Sequence, residues 1–169
     1  MILNPKKFKA AILVKQNSPL VIDEILCPQQ LLKGQVLVKI FYSGICGSQL
    51  GEILGVKGKD KYLPHLLGHE AVGEVVNCGL KVTKVKKGDK VLLHWMPGAG
   101  LSSEYPKYNW KGKVVNAGSI ATFSSYAIIS ENKLSKLNKK IKNEKEVLLL
   151  GCTASTAIGS VNKLAKLKK

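Results

Sequence analysis

A mainly β fold with a few short helices, arranged as a partly open antiparallel barrel or sandwich, is what this sequence predicts. Three observations point there. Short β-type runs recur between residues 8 and 130, separated by glycine, proline and Gly-Asp. Only two segments carry apolar residues at helical spacing. The chain has 169 residues, of which 45% are hydrophobic, which is enough for one domain with a substantial core.

The runs come in chain order. Residues 8–14 are the first, with Ala10 to Val14 too soon interrupted by Lys15 to act as a secretory leader. Residues 34–42 alternate around Val36, Val38 and Ile40, as a strand with one face inward does. Residues 71–77 and 90–95 follow, and residues 121–130 add Phe123 and Tyr126. The first helical segment is 46–54, where Leu50, Ile53 and Leu54 share a face. The second is 153–169, whose stripe is Ala154, Ala157, Ile158, Val161, Leu164 and Ala165, with lysines in its last turn. Residues 97–118 hold Pro97, Pro106, several glycines and the aromatics Tyr105, Tyr108 and Trp110, and read as a long surface lobe.

Charge and cysteine usage exclude several classes. The formal net charge is +16, from 27 basic residues that are all lysine. Arginine is the usual reader of phosphate forks and guanine edges, and the lysines are spread along the chain. A solvated cationic surface explains them, with no nucleic-acid partner. No apolar run approaches the roughly 20 residues of a membrane helix, so no membrane role is expected. The cysteines at 27, 46, 78 and 152 form no CxxC, which predicts a reducing, cytoplasmic setting.

Chemistry concentrates in three places. Gly68-His69-Glu70 is followed by Gly73, Gly79 and Val82; Gly44-Ile45-Cys46-Gly47-Ser48 lies upstream, and Leu150-Gly151-Cys152 downstream. The run from Gly68 to Val82 reproduces the spacing glycine-histidine-glutamate, two residues, glycine, five residues, glycine, two residues, small aliphatic. With Gly88-Asp89-Lys90-Val91 and Ser155-Thr156-Ala157-Ile158-Gly159, the chain resembles the zinc-dependent medium-chain alcohol dehydrogenases over residues 8–169.

That resemblance implies a GroES-like partly open barrel over residues 1–150. It also implies that 151–169 is a helix leading towards a nucleotide-binding domain of Rossmann type. No GxGxxG occurs in this sequence, so that domain and the strands that return from it are expected to be absent. Cys46, His69 and Cys152 correspond to the three catalytic zinc ligands. Such a set leaves a fourth position open, where zinc acts as a Lewis acid on an alcohol oxygen. Ser48 corresponds to the hydroxyl that relays the alcohol proton, although a serine there also reads as a helix cap. Glu70 lies beside the metal, either as a transient ligand or as a carboxylate behind it. Thr156 corresponds to a contact of the nicotinamide and Trp95 to the wall of the substrate cleft. Trp95 reads equally as a core aromatic, and Thr156 as an ordinary helix residue.

Three departures matter. The 97–118 lobe has no cysteine, so the second, structural zinc of many relatives is not expected and one zinc per chain is. Gln49 stands where relatives carry an acid that orients the histidine ligand, and Gly51 lacks a relay histidine. The glycine-rich turn is missing. The expectation is therefore a dehydrogenase that moves hydride between a primary or secondary alcohol and NAD or NADP, in intact form a homo-oligomer. The part present here is expected to be inactive alone. The alternatives are a non-enzymatic GroES-like interaction module and one half of a split enzyme whose nucleotide-binding chain is separate.

Overall fold

Ten strands form two sheets in the computed structural model, which describes residues 3–138 and 140–165. The strands are β1 (Lys7–Leu13), β2 (Val21–Leu26), β3 (Gln35–Ser43), β4 (His65–Leu66), β5 (Ala71–Cys78), β6 (Lys90–Leu93), β7 (Lys107–Trp110), β8 (Lys113–Asn116), β9 (Tyr126–Ser130) and β10 (Leu134–Lys136). One sheet closes as a barrel in the order β1-β2-β7-β8-β4, and the other stays open in the order β10-β6-β5-β3-β9. The mainly β class holds. One sheet is closed and one is open, and the sole parallel step among the described pairs is His65 of β4 against Asn116 of β8.

Alternation explains the walls. In β1, Phe8, Ala10 and Ile12 point into the closed barrel, with Tyr108 packed edge-on to Phe8 at 5.5 Å. Strand β3 divides two cores. Leu37 joins the barrel interior, while Val36 and Val38 join the second cluster with Val75, Val91, Ile129 and Leu134. Over Gln35 to Val38 both faces are therefore dry and period 2 separates two cores, while Lys39, Phe41 and Tyr42 further along are exposed. Residues 121–125 stitch the sheets together. The Ala11 N–H donates to the Phe123 carbonyl, Ser125 N–H to Lys9, and Ile40 N–H to the Ser125 carbonyl.

The lobe expected at 97–118 divides in two. Residues 98–106 run as irregular chain, but 107–116 are a tight hairpin whose Tyr108 and Val115 lie in the barrel core. Lys111 and Gly112 both take positive φ, 51° and 80°, as a two-residue hairpin turn requires. The barrel cannot close without β7 and β8, so this part of the segment is wall and not surface loop.

Among the described residues there are three short α-helices, α1 (Gly47–Ile53), α2 (Glu144–Val147) and α3 (Thr153–Gly159), the last continued by a π-helical stretch, Ser160–Leu164. Leu148, after α2, is buried against Val72 of β5 and Leu92 of β6, which ties the end of the chain to the open sheet. The stripe predicted for 153–169 faces outward: Ile158, Val161 and Leu164 are exposed, as are Leu149 and Leu150 before them. Its lysine-rich end, 166–169, lies outside the described residues. No single helix among the described residues is long and apolar enough to cross a membrane; only the bent pair Glu144–Gly151 and Thr153–Leu164 matches that length and composition, and only together.

Candidate metal centre

Three chain segments converge to make the site. Cys46 stands at the start of α1, just beyond the end of β3. His69 lies in the turn between β4 and β5. Gly68 makes that turn: its φ is +95°, and a Cβ there would sit 2.3 Å from Thr122 Oγ1 and 2.6 Å from the Phe123 ring. Only glycine meets both demands. Cys152 begins α3. It reaches the other two because Gly151 runs against β6, where a Cβ would lie 2.7 Å from the Leu93 carbonyl and 2.8 Å from Glu70 Cβ.

The ligand atoms of Cys46, His69 and Cys152 all lie within 4.8 Å of one another, the one such His/Cys/acid group among the described residues. Two further observations fit a metal. His69 Nε2 is buried and has no hydrogen-bond partner. A buried polar atom without a partner is costly, and a cation between the three donors would satisfy it once its lone pair is free of a proton. The donor set is two thiols and one imidazole, which suits zinc.

The surrounding groups tune these donors. The Ser48 amide and hydroxyl hold the Cys46 thiol below its ordinary value. Burial pushes the Cys152 thiol up, against the pull of the Thr156 hydroxyl, whose oxygen lies 3.8 Å from the sulfur. Burial likewise holds the His69 imidazole down, against the charges of Glu70 and Glu52. A neutral imidazole is the form that ligates.

Glu70 is fully buried but lies outside the three-ligand group. Its carboxylate accepts the Thr153 amide at 3.2 Å and the Thr153 hydroxyl at 3.0 Å. It therefore fastens the start of α3, and with it Cys152, to the strand that follows His69. A Cβ on Gly44 would strike its Oε1 at 2.4 Å, so that glycine makes room for the carboxylate. Thr153 was not among the residues predicted from sequence. The signal was its position next to Cys152 at a helix start, where a hydroxyl commonly finds a partner.

Ser48, Trp95 and Thr156 all line one cavity of about 470 Å3 with the three ligands. Trp95 is 44% exposed on that cavity and is not a core aromatic; β6 ends two residues earlier. Gln49 is buried and bonds to both Cys46 and His69. A second, larger cavity of about 800 Å3 adjoins the first through Glu52, Lys57, Leu66 and Ile120. Its lining includes Lys59, Lys61 and Tyr62, which the sequence did not mark, and Tyr105 of the 97–118 segment. Cys27 and Cys78 lie elsewhere: burial pushes the Cys27 thiol up to about 11, and the Cys78 thiol faces the Val85 carbonyl.

Comparison with known proteins bears on the family and the fold. Residues 32–139 match the family described as "Alcohol dehydrogenase GroES-like domain", a segment that includes Cys46 and His69 and stops short of Cys152. S-(hydroxymethyl)glutathione dehydrogenase of Escherichia coli O1:K1 / APEC is 30% identical over 96% of this chain, and that of Photobacterium damsela subsp. piscicida is 32% identical over 96%. The chain spans about half the length of these relatives (50% of each). Benzyl alcohol dehydrogenase from Acinetobacter calcoaceticus superposes with a TM-score of 0.76 at 24% identity, covering 94% of this chain and 48% of that one. An alcohol dehydrogenase zinc-binding domain protein from Burkholderia ambifaria gives 0.73 at 21%, covering 96% and 50%. By the family match across most of its length, this chain belongs to the alcohol dehydrogenase GroES-like domain family.

Proposed function

We propose that this chain is the metal-binding half of an alcohol dehydrogenase, one that moves hydride between a primary or secondary alcohol and NAD or NADP held by a nucleotide-binding half. The observation that carries the reading is the convergence of Cys46, His69 and Cys152 around an unpartnered, buried His69 Nε2. A zinc ion held there would supply a Lewis acid with one open position.

The chain's own residues supply the rest. The Ser48 hydroxyl lines the cavity beside Cys46 and is placed to take the proton released from an alcohol and pass it outward. Trp95 and Ile120 give the cavity apolar wall and limit the water that reaches the reacting carbon. Thr156 stands at the cavity edge on α3, where a nicotinamide ring would approach. Glu70 acts as a positioning residue through Thr153. The four cysteines are free, which fits a reducing, cytoplasmic setting.

The second half of the enzyme has a natural seat. Leu149, Leu150, Ile158, Val161 and Leu164 form an exposed apolar face next to Thr156. We infer that a nucleotide-binding half docks there, whether it belongs to the same polypeptide or to a separate chain, and that residues 1–169 alone do not turn over alcohol.

The test is metal content first. Purified protein is expected to hold one equivalent of zinc, and His69→Ala to hold about none while keeping its circular dichroism. Equal zinc in both proteins would refute the site. Two tightly held equivalents would refute the single-metal reading. Alcohol-dependent NAD or NADP reduction by this chain alone would refute the need for a second half.

A further inference from the structure

We propose that Gln49 locks His69 into the tautomer that cannot bind a metal, so that loading the site requires the Gln49 amide to turn over or let go. The proposal rests on the reading of Cys46, His69 and Cys152 as metal ligands.

The argument is one of donors and acceptors. One end of the Gln49 amide receives the Cys46 backbone N–H at 2.9 Å. A peptide N–H only donates, so this end is the oxygen. The other end is therefore the NH2 group, and it lies 2.6 Å from His69 Nδ1 and 3.2 Å from Ser48 Oγ. An amide NH2 also only donates, so His69 Nδ1 must accept and carries no hydrogen. The charged imidazolium is excluded by the same contact, because it has a hydrogen on Nδ1 too. What remains is the neutral ring with its proton on Nε2. Nε2 is the buried nitrogen without a partner, and with Nδ1 engaged by Gln49 it is the ring nitrogen left for a metal shared with Cys46 and Cys152. A metal needs the lone pair on that atom.

Neither escape is free. If the proton moves to Nδ1, Nδ1–H points at the amide NH2. If the amide turns over, its oxygen meets Nδ1–H, but its NH2 then opposes the Cys46 N–H at the start of α1. Gln49 is 3% exposed, so water does not readily fill either gap. Each arrangement with metal bound leaves one pair of part-buried donors facing each other. A carboxylate at position 49 removes the conflict: one oxygen keeps the Cys46 N–H, and the other accepts Nδ1–H. Groups behind a histidine ligand change metal affinity by about 10–100-fold, which sets the scale of the effect.

The test has two readouts on the full 169-residue chain. Long-range proton–nitrogen NMR correlation at about pH 8 reports the His69 tautomer in metal-free protein. Competition with a chromophoric chelator gives the zinc Kd. The parent is expected to show the Nε2–H tautomer, and Gln49→Glu the Nδ1–H tautomer with a zinc Kd about 10–100-fold lower. Gln49→Met, which has neither donor nor charge, is expected to bind zinc at least as tightly as the parent. That arm separates the tautomer from the added negative charge. Thermal unfolding checks that each variant is folded. An Nδ1–H tautomer in the parent overturns the proposal without any variant. So does an unchanged Kd in Gln49→Glu, or a tenfold loss in folded Gln49→Met. Failure of every form to bind zinc would instead refute the metal site itself, and the tautomer measurement would still decide this proposal.

Discussion

Glu131 is a buried carboxylate outside the Cys46, His69 and Cys152 group, and its replacement by glutamine tests how the irregular segment before the hairpin is held. The carboxylate is 1% exposed. One oxygen accepts the Thr83 and Lys84 amides, the former at 2.6 Å, and the other accepts the Leu101 amide at 2.9 Å. Gly100, at φ +110°, lets the chain close on it; a Cβ there would lie 3.0 Å from Glu131 Cγ. Glutamine has the same shape but only one acceptor. If its oxygen keeps Thr83 and Lys84, its NH2 opposes the Leu101 N–H. Leaving that donor unpaired costs about 1–3 kcal/mol, and the two remaining bonds lose charge assistance worth about 1 kcal/mol each. No longer burying a charge offsets part of this. The expected loss for Glu131→Gln is about 2–4 kcal/mol, or roughly 5–15 °C in Tm for a chain of this size. Urea unfolding at pH 7 measures it. The sign with pH also follows. Burial pushes the carboxyl up, but the Lys84, Leu101 and Thr83 amides and the Lys84 charge outweigh it, and its folded value lies below the ordinary one. The stabilisation is therefore fully present above the unfolded value of about 4.3 and is lost as pH falls through the lower folded value. The gap between parent and variant should be constant above about pH 5 and shrink in acid. A loss under about 1 kcal/mol at pH 7, or a gap that widens in acid, would refute the reasoning.

Three further outcomes follow from single contacts. Tyr108→Phe removes the hydroxyl that accepts the Ile128 N–H at 2.9 Å, inside the barrel, and should cost about 1–3 kcal/mol by chemical denaturation with no change in zinc content. Thr153→Val strips the hydroxyl from the Glu70 carboxylate and should cost about 1.5–3 kcal/mol while weakening zinc binding, because the anchor of Cys152 loosens; unchanged zinc affinity would show that this hydroxyl does not position Cys152. In metal-free protein, a thiol reagent followed by peptide mass mapping should modify Cys46 first and Cys27 last. The Cys46 thiol is held down, whereas at about 11 the Cys27 thiol is only roughly a thousandth ionised at pH 8. Added zinc should protect Cys46 and leave Cys27 as it was.

Local signals made some of this legible and not the rest. Strand β1 reads from Phe8, Ala10 and Ile12 because one face meets a core. Strand β2 gives no such alternation: Ile25 is buried, but Val21, Ile22 and Leu26 are exposed on the barrel exterior, so its apolar residues mark no face. The hairpin β7–β8 hides because each strand has four residues, and prolines and aromatics around it look like loop. The signal available was Trp110-Lys111-Gly112-Lys113, where glycine follows a residue at positive φ. The candidate ligands Cys46, His69 and Cys152 were picked out by their resemblance to a family's spacing, and the structure brings their donor atoms within 4.8 Å of one another. That Gln49 replaces an acid was legible as well, as a change of charge. Its sharper consequence was not, because a sequence does not say which end of an amide faces which neighbour. The Cys46 N–H, three residues before it, decides that. The stripe on 153–165 shows the opposite case. Its apolar residues lie on α3 and the π-helical stretch after it, yet no period says whether the partner of an apolar face lies in the same fold. Here the described residues leave Ile158, Val161 and Leu164 in solvent, and the face acquires meaning only beside Thr156 and the cavity it borders. A nucleotide-binding half seated there would bury that face and close the open side of the metal cavity in the same step. If the proposed function holds, docking and catalysis rise together with the apolar area covered, and Ile158→Lys should abolish hydride transfer by the assembled pair while leaving the zinc content measured by metal analysis unchanged; undiminished hydride transfer would refute the docking face.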